Sequence, residues 1–288
     1  MPADALHAAD MARKAESIGI QKVHLGFLDT FALAVMAGAF IACGAILTTV
    51  TWAGSADSAL SGPGRILGGL VFSLGLILVV VSGGELFTGN GLISIARASG
   101  KVSFTELLRN WIIVYIGNFV GAFGTALLTF IGRQYMFFGN SGSVGVAALN
   151  IGLGKVNLGF IQAIALGILC NALVCIAIWM SYSARSTIDK IAAVVLPVTA
   201  FVAAGFEHSV ANMYFIPSAL LIKYFGSADF WQAANLAQAD YTGLTWGSFL
   251  WRNLLPVTIG NVIGGVVLVG LIFWVVYLRK KGHAQQRP

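Results

Sequence analysis

Gly205-Phe206-Glu207-His208-Ser209-Val210-Ala211-Asn212-Met213, GFEHSVANM, sets a glutamate beside a histidine in apolar surroundings. IAAVVLPVTAFVAA precedes it and YFIPSALLI comes after, and no other charge occurs from Ile191 to Ile222. Burying an ionisable pair at that depth costs several kcal/mol unless neighbouring groups satisfy it. The pair therefore marks a built feature of the fold.

The rest of the chain says what surrounds that feature. Of its 288 residues 58% are hydrophobic and only 10% charged, against about 25% charged in a soluble domain. Uncharged runs at 30–56, 110–132, 156–184 and 253–278 reach the roughly 20 residues a membrane span needs. Two further runs are interrupted, 66–84 from 86–96 by Glu85, and 191–206 from 209–222 by Glu207 and His208. This predicts an all-α membrane protein of six transmembrane helices, the second and fifth broken. Glycine, at 35 residues, suits close helix approach in lipid.

Residues 1–26 are mixed and polar, and read as a cytoplasmic, partly amphipathic segment and not as a secretory leader. Residues 27–278 form the six-span domain, and 279–288 a basic tail. With six spans both termini share a face. Arg13, Lys14, Lys22, Arg97, Lys101, Arg109, Arg185, Lys190, Arg279, Lys280, Lys281 and Arg287 fall on that face, against Arg65, Arg133, Lys155, Lys223 and Arg252 opposite. The excess places both termini in the cytoplasm and the chain in an inner membrane. It also accounts for the net charge of +6, so no nucleic-acid partner is inferred. Cys43, Cys170 and Cys175 fall within spans as packing residues, and nothing calls for a metal or a cofactor.

The broken runs resemble each other. Gly83-Gly84-Glu85-Leu86-Phe87-Thr88-Gly89-Asn90 aligns with the stretch from Gly205 to Asn212 as G-x-E-x4-N. Asn110-x6-Gly117-Asn118-x2-Gly121 aligns with Asn253-x6-Gly260-Asn261-x2-Gly264, and Phe31-x6-Gly38 more weakly with Phe160-x6-Gly167. Halves of three spans each enter from opposite faces, so repeats at about 27–132 and 156–278 form an inverted 3+3 arrangement, common in channels and transporters. Paired breaks then meet at mid-depth, where non-helical backbone survives only inside protein or along a polar cavity.

Half-helix N-termini at the breaks favour an anion, and Lys155 either adds attraction at the outer mouth or snorkels at the interface. Glu85 and Glu207 are expected to cap the N–H groups their own breaks leave open, with a proton relay as the other reading. Asn118, Asn171 and Asn261, with Asn90 and Asn212, are candidates for loop support, Asn171 and Asn261 foremost near the breaks. His208 has no repeat counterpart, Leu86 standing in its place, so repairing a break does not require it. A histidine titrates near neutral pH when unperturbed, which suits it to exchange a proton, and Thr88 is the hydroxyl to orient it. Phe72, Leu76, Leu86, Phe87, Val174 and Phe201 form apolar constrictions about this centre. A naked anion pays heavily to cross such rings, whereas a small neutral acid does not.

SGGELFTGN (82–90), NALVCIAIWMSYSARS (171–186), GFEHSVANMYFIP (205–217) and LLPVTIGNVIGG (254–265) closely resemble the formate/nitrite transporter family over about residues 25–280. The resemblance implies an aquaporin-like protomer in a homopentamer, one pore per protomer, passing small monovalent weak-acid anions. It implies that Thr88 lies on the family's Ω loop and His208 on its S loop. Leu76, Leu86, Phe87, Val174 and Phe201 match its constrictions, and Asn171, Asn261 and Lys155 its polar pore neighbours. Phe206 and MYFIP look like the formate branch, while Glu85 leans toward the nitrite and hydrosulfide branches. The expected activity is thus a formate channel, passive or proton-linked. The alternatives are a nitrite or hydrosulfide channel, or sodium-coupled transport using Glu85 and Glu207. An aquaporin would carry paired Asn-Pro-Ala motifs, a haem subunit paired histidines and a metalloprotease HExxH; none is present.

Overall fold

The computed structural model describes residues 5–53, 62–137 and 142–279; the basic tail after Arg279 lies outside them. The described chain is largely helical, with no strand among the described residues. Helix α1 (Ala8–His24) buries Met11, Ala12, Ala15, Glu16, Gly19 and Val23, the spacing of one apolar stripe. That stripe lies on α4 (Ile93–Ala98). Lys101 Nζ donates to Glu16 at 2.5 Å and Lys14 Nζ to the Tyr182 carbonyl at 2.7 Å. The segment expected to be amphipathic is thus a helix docked across one end of the molecule.

Among the described residues, five helical segments are long and apolar enough to cross a membrane: α2 (Phe27–Trp52), α3 (Gly62–Ser82), α5 (Phe104–Ile131), α7 (Phe160–Ser183) and the stretch Gln238–Tyr277. The last follows α10 (Ala228–Ala234) and contains α11 (Trp246–Ser248), α12 (Leu255–Val262) and α13 (Ile272–Tyr277), joined by π-helical turns at Phe249–Leu254 and Ile263–Leu271. The sixth span expected from the sequence, the broken one at 187–225, is not among these five. Here α8 (Thr187–Ala203) and α9 (Ser209–Phe225), of 17 residues each, are individually about 26 Å long. Each alone falls short of a hydrocarbon core of about 30 Å. Leu128, Ile131, Ile161, Ile188 and Leu196 point outward and exposed, as helices in lipid require.

A helix absent from the sequence reading, α6 (Ser143–Val156), packs against α9. The pairs α2 with α5 and α7 with α12 approach backbone to backbone. A Cβ on Gly121 would overlap the Val35 carbonyl and one on Gly260 the Ile164 carbonyl, so only glycine admits this spacing.

Candidate functional site

Both interruptions open on a left-handed glycine, Gly83 at φ +78° after α3 and Gly205 at φ +73° after α8. A side chain at either position would be strained. Beyond these glycines the two breaks are hydrogen-bonded in the same way. Asn118 on α5 donates to the carbonyls of Ala34 (2.8 Å) and Glu85 (2.9 Å) and accepts from Phe87 N (2.9 Å). Asn261 on α12 donates to Gly167 O (2.8 Å) and Glu207 O (2.9 Å) and accepts from Ser209 N (2.9 Å). The amide N–H of Glu85 reaches Leu33 O and that of Glu207 reaches Leu166 O, both at 3.3 Å.

The carboxylates repeat the pattern. Glu85 accepts from Lys22 Nζ at 2.6 Å and Asn90 Nδ2 at 2.7 Å; Glu207 accepts from Lys155 Nζ at 2.8 Å and Asn212 Nδ2 at 2.7 Å. Asn110 Oδ1 takes the second Asn90 proton and Asn253 Oδ1 the second Asn212 proton, at 2.8 and 2.7 Å. Two expectations are corrected by these contacts. The freed backbone N–H groups are met by asparagine and carbonyl oxygens, not by the glutamates, because each carboxylate is occupied by an ammonium and an amide. Ala34, not Gly38, stands opposite Gly167, so the first-span alignment is displaced by four residues, about one turn. Lys155 does not snorkel: its side chain is 17% exposed and paired with Glu207.

Lys22 and its position opposite Lys155 were missed in the sequence, because polar residues ahead of the first span read as an arm. A signal existed: Lys22-x4-Phe27 and Lys155-x4-Phe160 share one spacing.

His208 heads α9, where its Nδ1 accepts from Ala211 N at 3.0 Å. A backbone N–H can only donate, so Nδ1 is bare and the neutral ring carries its proton on Nε2. Nε2 lies 3.0 Å from Thr88 Oγ1, and the ring donates to that hydroxyl across the gap between the two breaks. Asn171 on α7 holds the same loop, donating to Thr88 O at 3.1 Å and Asn261 O at 2.7 Å. Thr88 and His208 are 1% and 3% exposed.

A cavity of about 760 Å³ reaches His208 from the face opposite α1; Phe72, Phe201, Lys155, Glu207 and Asn212 are among its lining. Phe201 stacks on the His208 ring at 5.9 Å and meets Phe72 edge-on at 5.7 Å, so both aromatics close in on the histidine. Leu76, Leu86, Phe87 and Val174 do not line this cavity. They are buried in the same apolar core, Phe87 against Tyr115 at 4.8 Å.

Comparison with known proteins places the chain in a family. The formate/nitrite transporter model matches residues 9–275. The chain belongs to the formate/nitrite transporter family. Among curated family members, the formate channel FocA of Escherichia coli is 46% identical over 284 residues, 98% of each chain. The formate channel FocA of Haemophilus influenzae is 39% identical over 267 residues, 93% of each chain. A solved family structure described as a pentameric formate channel with formate bound superposes with a TM-score of 0.82 at 45% identity, covering 88% of this chain and 98% of that one. A second, described as an FNT family ion channel, gives 0.78 at 28% identity, covering 93% and 98%.

Proposed function

We propose that the chain passes formate through a pore in each protomer of a homopentamer, together with a proton. The protomer is a six-span, inverted 3+3, aquaporin-like unit whose second and fifth spans break, set in an inner membrane with both termini cytoplasmic. The matched hydrogen bonds of Asn118 with Asn261, and of Lys22–Glu85 with Lys155–Glu207, support the two-fold relation. They extend the repeats to begin at α1 and α6. Identity with named formate channels across nearly the whole chain supports the substrate and the assembly.

The observation that carries the mechanism is the Thr88–His208 contact at the foot of the cavity. Protonating Nδ1 would cost the Ala211 bond and set a cation at the positive end of α9. An anion beside the ring is what makes the imidazolium tolerable, so proton and anion move together. Once the proton has passed to the anion, a neutral acid faces Leu76, Leu86, Phe87 and Val174. Phe72 and Phe201 hold back the hydrated ion from the cavity side. Lys155, paired with Glu207, presents its ammonium as a contact on the cavity wall, and Asn171 fixes the Thr88 loop. Sodium coupling is disfavoured because the Lys22 and Lys155 ammonium groups already hold Glu85 and Glu207.

Uptake of formate, nitrite and hydrosulfide into proteoliposomes, with and without sodium, tests this reading. Formate should be preferred, its flux indifferent to sodium and rising as pH falls, by up to about tenfold per unit where the neutral acid is scarce. Sodium-dependent flux, or flux without proton movement, would refute it.

A further inference from the structure

We propose that Arg65 is the anion-reading residue of the cavity, a guanidinium fork that captures two-oxygen anions before they reach His208. The proposal rests on the function above and adds a specificity residue to it. Trp52, at the end of α2, donates its Nε1–H to Gly64 O at 3.0 Å and packs on Gly68, which fixes the first turn of α3. Arg65 projects from that turn into the cavity lining. Its Nη1 donates to Ala203 O at 3.4 Å, one of the carbonyls that α8 leaves open at its end. A Cβ on Gly205 would stand 3.3 Å from the same nitrogen. The guanidinium thus rests on the break that carries Glu207 and His208, half-buried and facing the route to both.

Its charge is the unbalanced one. Arg65 and Lys155 are the cations of the lining and Glu207 its carboxylate. Lys155 and Glu207 neutralise each other at 2.8 Å, whereas no carboxylate of a described residue lies within ion-pair distance of Arg65. The excess positive potential of the cavity is therefore that of Arg65. A cleft with low-dielectric walls focuses such a field and raises the local concentration of the opposite ion. The planar fork matches a carboxylate, or another anion with two oxygens on one centre, through paired N–H bonds. Hydrosulfide offers a single centre, so the fork favours formate over it beyond what charge alone would do.

Arg65→Gln and Arg65→Lys test this in proteoliposomes, with formate and hydrosulfide flux measured at low and high ionic strength. At low salt, R65Q should raise the half-saturating formate concentration by about three- to tenfold, and the difference should shrink at high salt as the field is screened. R65K should keep the low-salt attraction but lose the preference for formate, its formate-to-hydrosulfide flux ratio falling toward that of R65Q. Lysine reaches nearly as far as arginine and can still donate to Ala203 O, so a purely structural role would leave the R65K ratios and their salt dependence unmoved. Unchanged formate saturation in R65Q at low salt would overturn the proposal. So would an unchanged flux ratio in R65K, which keeps charge and donor and serves alone if R65Q does not assemble. A wild type that passes hydrosulfide or nitrite and no formate would instead sink the function proposed above, an outcome read from the wild type alone.

Discussion

His208 does two things with one ring. Its Nδ1 caps α9 and its Nε2–H points at Thr88; only the second edge is free to serve a passing anion. His208→Asn can cap the helix but cannot become a cation, so formate flux should persist at a reduced level with its rise at acid pH flattened. His208→Phe should also lose the cap, at about 1 kcal/mol, together with proton-linked flux. Measuring lumenal pH alongside formate uptake checks both, and undiminished proton movement in either variant would contradict the role given to the ring. This residue was legible in the sequence because it breaks the repeat, Leu86 occupying the matching place. Arg65 was not legible, and Lys22 only through the spacing it shares with Lys155, because what each touches lies far along the chain: Ala203 for Arg65 and Glu85 for Lys22.

At the scale of elements, an interrupted helix inside lipid survives only if every freed backbone group finds a partner. Asn118 and Asn261 each close three bonds at one interruption, and both are fully buried. Replacing either by alanine strands one carbonyl and one N–H of the break, Glu85 O with Phe87 N or Glu207 O with Ser209 N, each at about 1–3 kcal/mol. Asn118→Ala and Asn261→Ala should therefore lower the melting temperature of the detergent-solubilised protein by similar amounts. A loss at one site and none at the other would refute the equivalence of the two breaks. The asparagine spacing showed in the sequence because it sits among glycines that also recur. The pairing of α1 with α6 did not, since their sequences share little beyond a lysine in the last turn of each. The first-span register slipped by a turn because Phe31 and Gly38 reproduce the Phe160–Gly167 spacing one turn beyond the structural counterparts Phe27 and Ala34.

At the scale of the molecule, two buried ion pairs stand at opposite ends, Lys22–Glu85 beneath α1 and Lys155–Glu207 beneath the cavity. Each exists because a helix lying ahead of a span delivers its last lysine to a break in the next. Removing one partner of such a pair leaves a buried charge, at roughly 3–5 kcal/mol, whereas removing both costs far less. Lys155→Met should thus be strongly destabilising, and adding Glu207→Gln should recover much of the loss, as should Glu85→Gln in a Lys22→Met background. The crossed combination, Lys22→Met with Glu207→Gln, joins changes at opposite ends with no shared partner. Its effect on thermal unfolding should be the sum of the single effects, within about 0.5 kcal/mol. Strong coupling in the crossed pair would mean that the two ends respond as one unit, and that an anion arriving at one mouth alters the other. Additivity would leave two independent mouths meeting only at Thr88 and His208, as a pore following its gradient in either direction requires.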